Sequence, residues 1–416
     1  MIVADERLRL KKISTIIYRA SRKVRVLRSL RWPSSARLSF FKNKSQKIPA
    51  IEYEPFESAE AASILSKAGP LFKDTDYDTW LKKKSDDILK SAKMLESVGT
   101  ELFSKLSSEI YGTPRATFRD GETSPLDLAI RFDEIIESFQ KSKTKFRKPK
   151  LIPSGELQSL IEESVQKIFK DQAPEVVVVD NLSAKVTASV KRIRIRKSAR
   201  FTQKDINQLI NHEALVHVAT TLNGRMQKSM PVLGANYGSI TKTQEGLAVF
   251  SEFITGSVDI KRMRRLSDRV IAIDMAIRGA DFIEVYRFFL ERSDTKTQAF
   301  ESARRVFRGG LTSGGAPFTK DIVYLDGLIR VHNFFRAAVS SGREDVSKLI
   351  FSGKIDLDDI SIVKVMVKDR LVRPPKFIPP WFLDIDFLIC YFSFSVFIDE
   401  INYKKIDNYY EKILSD

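Results

Sequence analysis

Histidine occurs three times in 416 residues, yet two of the three, His212 and His217, stand five apart in the stretch His-Glu-Ala-Leu-Val-His. That spacing constrains the backbone. Imidazoles four residues apart share one face of an α-helix, whereas a step of five turns through about 500°, leaving the rings roughly 140° apart. Side chains so placed cannot meet at one ion. Sharing a ligand requires a wider turn of π type between them, or a helix that ends near Val216, and the wider turn is the expectation here. Glu213 follows the first histidine directly, where a zinc peptidase keeps its general base.

A catalytic zinc ion takes three protein ligands and keeps one position for water. His332 lies far along the chain, so a carboxylate is the expected third ligand. Glu245, in Thr-Gln-Glu-Gly-Leu-Ala, opens a helical pattern carried by Leu247, Phe250, Phe253 and Ile254. Glu252, two turns further on, is the second candidate. A carboxylate at this place is also favoured by the helix dipole alone. A helix with two histidines, a long connection and a helix supplying glutamate is the arrangement of the gluzincin metallopeptidases. In such a centre Zn²⁺ lowers the pKa of water towards 7 and polarises the scissile carbonyl. Glu213 would take the water's proton and pass it to the leaving amine.

Around this motif the chain divides into four expected segments. Residues 1–48 form a basic N-terminal arm: up to residue 47 it holds fourteen Lys or Arg against Asp5 and Glu6, most of the formal net charge of +17. Residues 1–30 can form a basic helix, broken at Trp32-Pro33, and the arm reads either as a solvated extension or as a dock for an acidic partner or an anionic surface. Residues 49–150 read as a helical domain ending in a basic linker after Lys141. Residues 151–373 read as the catalytic domain, with a buried strand at Val176–Val179 and an alternating stretch from Lys185 to Arg196. That alternation slips at Lys191-Arg192, which implies two strands or a bulge, and its arginine-rich face suits an exposed edge. Thr202-Gln203-Lys204-Asp205 has the form of a capping box opening the histidine helix. Residues 374–416 read as an apolar extension packed on the catalytic domain. The expected class is α+β, predominantly helical, with a small sheet.

The single cysteine, Cys390, excludes a disulfide framework or a thiolate metal cage within one chain. The most apolar stretch, Phe387 to Ile398, is too short to span a membrane. No apolar core of a secretory signal follows the basic start, and a cytoplasmic protein is the plain expectation, although an Arg- and Ser-rich, acid-poor start also resembles a mitochondrial transit peptide.

Three motifs in order, the histidine pair, Thr-Gln-Glu-Gly-Leu-Ala at 243–248 and Gly-Gly-Ala-Pro-Phe-Thr-Lys-Asp-Ile-Val-Tyr-Leu-Asp-Gly at 314–327, resemble the QEGLA-motif family. Its bacterial members are called flavohaemoglobin expression-modulating QEGLA motif proteins. Its animal members include the microtubule-associated tyrosine carboxypeptidases, which remove the C-terminal tyrosine of α-tubulin. The resemblance spans residues 55–370 and leaves out the basic arm. It implies His212, His217 and Glu245 as zinc ligands, Glu213 as catalytic glutamate, and a peptide or protein C-terminus as substrate.

The long loop between Thr220 and Thr243, with Gly224, Gly234 and Gly238, is expected at the rim of the cleft. The glycine-rich stretch Arg308–Asp321 lacks the residue order of a phosphate loop. It reads instead as a turn presenting Lys320, followed by a helix with Tyr324 and Arg330. Lys320 or Arg330 is the expected anchor for a terminal carboxylate, and Tyr324 the expected oxyanion donor. The bland alternative leaves both cations solvated. His332, on an apolar helix, is expected to be packed. The competing function is a regulatory protein with a structural zinc site, whose basic arm binds nucleic acid or an acidic partner.

Overall fold

The computed structural model describes residues 2–141, 150–180, 182 and 185–399. It is predominantly helical with two small sheets among the described residues, consistent with the α+β expectation.

The N-terminal segment departs from its reading as an arm. Helix Ala4–Ser21 places Leu10, Ile13, Ile17 and Ala20 in the core with no exposed surface. Its charges face outward or are paired: Arg9 donates to both oxygens of Asp78 at 2.6 and 2.9 Å. Further on, Trp32 and Phe40 pack on Phe282 and Phe300, with ring centroids 5.3–6.1 Å apart. The periodicity of Ile13, Ile16 and Ile17 thus marks a buried face. Composition hid it, because a helix can carry many cations on one side and still bury the other.

The helical pattern expected from Glu57 to Ile110 resolves into Ser58–Ser66, Asp76–Glu96 and Glu101–Tyr111. Thr75 and Thr100 cap the latter two by accepting from Asp78 N and Phe103 N. Gly112 ends the third at φ 95°, a conformation that only glycine adopts freely. One apolar cluster runs from Leu10 through Trp80 and Phe250 to Phe392, so helices on both sides of residue 150 share it. Trp381, Phe382, Leu388 and Phe392 close it at the C-terminal end, and His332 packs 5.3 Å from the Phe392 ring.

A second cluster stands behind the histidine helix. Helix Ser154–Phe169 lays Leu157, Ile161, Val165 and Phe169 against the sheet residues Val176, Ile193 and Ile195 and against Ala214 and Val218. In the sheet, Glu175–Val179 runs parallel to Arg192–Arg196, with Val176 opposite Ile193, and Val186–Ala188 pairs antiparallel on the other side. The slip at Lys191-Arg192 is therefore a tight turn between two strands, closed by Ser189 N donating to Arg192 O. The arginine-rich strand is central, not the edge that its charges suggested. Its isoleucines are buried and Arg192 and Arg194 project into solvent, so one outward face suffices to explain the pattern.

Helices Thr241–Ile254 and Val323–Ser340 meet at Gly246 and Gly327. A Cβ on Gly327 would lie 2.2 Å from the Lys242 carbonyl oxygen and 2.9 Å from Gly246 Cα. Gly327→Ala should therefore force the helices apart and lower stability by about 1–3 kcal/mol. Chemical denaturation measures this; an unchanged midpoint would show that the contact can relax.

Candidate metal centre

The capping box is formed as expected, with Thr202 N donating to Asp205 Oδ2 at 2.8 Å and Asp205 N to Thr202 Oγ1 at 3.1 Å. Helix Gln203–Gln208 then widens into a π-helix over Leu209–Val218 and tightens again at Ala219–Arg225. The wide turn expected between the histidines is present and extends over ten residues. Its i→i+5 bonding brings residues five apart onto one face. The imidazole centroids of His212 and His217 lie 4.9 Å apart, edge to face.

Glu245 reaches both rings from helix Thr241–Ile254. Its Oε2 lies 3.7 Å from His212 Nε2 and 3.5 Å from His217 Nε2. Among the described residues these three form the one group able to hold a metal ion, with ligand atoms within 4.8 Å of one another. Ligands about 2.0–2.1 Å from a tetrahedral ion are separated by roughly 3.3–3.5 Å, close to the two distances from Glu245 to the imidazoles, so this donor set suits zinc.

Glu252, the alternative ligand in the sequence, is not at the triad. Its Oε1 receives His212 Nδ1 at 2.6 Å, while Arg262 grips the same carboxylate through Nε and Nη2 at 2.9 and 2.8 Å. The bond to an ionised carboxylate orients the His212 ring and leaves Nε2 facing Glu245 and His217. Burial pulls the His212 pKa down, but Glu245 and Glu252 outweigh it and hold it up to about 10. Burial likewise opposes ionisation of Glu245, and Lys320 with the two imidazoles reverses this, keeping its carboxyl well below the usual range. The pocket is built for an ionised Glu245 beside positive charge.

The other expected site residues separate. Glu213, half-buried, lines the cleft with His217 and Glu245. Lys320 is buried there, its Nζ 3.3 Å from Glu245 Oε1. Tyr324 is absent from the cleft lining: its hydroxyl meets Arg305 Nη2 at 3.4 Å, and its ring lies under Arg269 and Lys320. That placement supports the cations and does not present an oxyanion donor. Arg330 pairs with Asp358 at 3.5 Å and also stays outside the cleft, so of the two expected anchors only Lys320 lines it.

Lys354 is a site residue that the sequence did not reveal. Buried, it donates to the His217 carbonyl (3.3 Å), Thr220 Oγ1 (3.1 Å) and Gln244 Oε1 (2.9 Å), clamping the histidine helix to the glutamate helix. Burial pushes its pKa down to about 8 against the pull of Glu245 and Glu213. No local pattern in Phe-Ser-Gly-Lys-Ile-Asp distinguishes it from a surface lysine.

The centre opens into a cleft of about 970 Å³. Besides the loop Gly234–Thr241, expected at the rim, its walls include the turn Ala188–Lys191 and the N-terminal stretch Tyr18–Arg28. The lining carries Arg22, Arg25, Arg28, Lys191, Arg225, Lys320 and Lys354 against only Glu213 and Glu245.

The family model described as "Microtubule-associated tyrosine carboxypeptidase" matches residues 38–400, most of the chain. The chain belongs to this family. No curated protein matches the sequence. Membership in the microtubule-associated tyrosine carboxypeptidase family implies a carboxypeptidase-type function acting on protein C-termini. The match takes in all three motifs and the centre described above, and it begins after the N-terminal stretch that walls the cleft. No helix among the described residues is long and apolar enough to cross a membrane.

Proposed function

We propose that this chain is a zinc-dependent metallocarboxypeptidase, with His212, His217 and Glu245 holding the ion and Glu213 acting as general base. The convergence of these three ligand atoms within 4.8 Å carries the reading. A zinc ion there would supply Lewis acidity, activating water and polarising a carbonyl.

The chain's own residues do the rest. Glu213 takes a proton from the attacking water and returns it to the amine nitrogen as the peptide bond breaks. Glu252, fixed by Arg262, orients the His212 ring so that it offers Nε2. Lys320, buried in the cleft lining beside Glu245, attracts the substrate's terminal carboxylate. A basic cleft also draws anionic chain ends towards the centre by electrostatic focusing.

Elemental mass spectrometry of the purified protein tests the metal. Near-stoichiometric zinc is expected in the wild type, falling to a small fraction in His217→Ala and Glu245→Ala. A wild type without zinc even after reconstitution, or variants that retain it fully, would overturn the assignment.

A further inference from the structure

We propose that Arg269, Arg304, Arg305 and Arg308 form an anion site, apart from the cleft of the metal centre, that binds a small molecule carrying several phosphate groups. The proposal does not depend on the carboxypeptidase reading.

Helix Lys296–Phe307 packs one face, with Phe300, Ala303 and Phe307, into the aromatic cluster around Phe282. Glu301, Arg304, Arg305 and Arg308 recur three or four residues apart and so share another face. Arg269 joins them from helix Ile260–Ile277. Among the described residues these arginines pair with two carboxylates, and both are shared. Asp321 accepts from Arg305 Nε and Nη2 at 2.5 and 2.9 Å and has Arg269 Nε at 3.6 Å. Glu301 pairs with Arg304 and also with Arg37, the latter at 3.1 Å. No carboxylate pairs with Arg308, whose guanidinium lies 5.4 Å from the Phe318 ring centroid.

Four buried nitrogens of this cluster have no hydrogen-bond partner among the described residues: Arg269 Nη1, Arg304 Nε, and both Nε and Nη2 of Arg308. A donor taken from water without an acceptor costs free energy, and more so when it carries charge. Burial, and then the neighbouring Arg305, pulls the pKa of Arg269 and of Arg308 down to about 10. The helix dipole favours cations in a last turn, but it does not bring Arg269 there from another helix. All four side chains stay partly exposed, so the cluster is open to solvent on one side. A carboxylate brings one charge, whereas a phosphate brings up to about two and three acceptor oxygens that guanidinium forks bind bidentately. Several phosphates on a compact frame therefore match cations this crowded. None of the four arginines lines the cleft, so such a ligand would leave the metal centre free.

Calorimetric titration of the full chain with inositol hexakisphosphate, and separately with inorganic tripolyphosphate, tests the site at about 0.15 M salt. One molecule should bind per chain and raise the melting temperature. Arg304→Gln/Arg308→Gln should weaken binding at least about tenfold through the loss of charged donors. Without ligand this variant should melt no lower than wild type, because repulsion among the cations is relieved; a purely structural role would lower it. Arg308→Lys, which keeps the charge but not the fork, should bind between the two. Arg22→Gln/Arg25→Gln/Arg28→Gln, on the cleft wall, should stay within about twofold of wild type. Phosphatidylcholine vesicles with and without a phosphoinositide identify the source of the phosphates. Capture that needs the phosphoinositide and is reversed by inositol hexakisphosphate would support a lipid headgroup; soluble binding without capture would support a free polyphosphate. Absence of binding to all three probes, or unchanged affinity in Arg304→Gln/Arg308→Gln, would overturn the proposal. So would a glutamate oligopeptide that binds these arginines as tightly as the phosphates do.

Discussion

Replacing Glu213 by glutamine is expected to leave a folded, zinc-loaded protein that releases C-terminal residues on the order of a thousandfold more slowly. The amide preserves the size of the side chain and can still accept a hydrogen bond, but it cannot take a proton from water. General-base removal of this kind costs about 10²–10⁴ in rate. Because Glu213 lies outside the group His212, His217 and Glu245, metal content should not change. The loss should fall on kcat, since proton transfer belongs to the transition state and not to binding. A variant that keeps more than about a tenth of wild-type kcat would remove Glu213 from the proposed role.

Glu252→Ala should be the most destabilising change near the centre. The carboxylate is fully buried, bonded to His212 and gripped by Arg262, itself 7% exposed. Removing it strands a buried guanidinium and frees the imidazole, a loss of about 3–5 kcal/mol in stability. Zinc affinity should fall a further 10- to 100-fold, roughly the cost of losing a ligand's orienting partner. Glu252→Gln offers a control, because its amide oxygen can still accept from Arg262 or His212. It should recover much of the stability while affinity remains reduced. Denaturant titration and competition with a metal chelator separate the two quantities. Equal stability in wild type and Glu252→Ala would mean that the buried ion pair contributes nothing net.

The convergence of His212, His217 and Glu245 was legible because metal-binding chemistry admits few residue types and the sequence holds so few histidines. The five-residue spacing even required the π-helix, since no α-helix brings such a pair together. Roles that depend on direction were less legible. Tyr324 and Lys320 stand four residues apart, yet Lys320 faces Glu245 while the Tyr324 hydroxyl faces Arg305. The same holds for the arginine-rich strand, whose central place is set by partners on either side and not by its own alternation. The N-terminal helix misled through charge: fourteen cations up to residue 47 obscured an apolar stripe that docks it on the body of the protein.

From the sequence alone came the helical character, the capping box, the widened turn and the three residues proposed to hold a metal. Each follows from interactions within a few positions or from chemistry that only a few side chains can perform. Tertiary structure decided which carboxylate would meet both imidazoles and which would support one of them, that Lys354 would clamp a carbonyl 137 residues away, and that residues 18–28 would wall the cleft. Those assignments depend on where distant segments pack and which way each side chain then points, and neither is encoded in local periodicity.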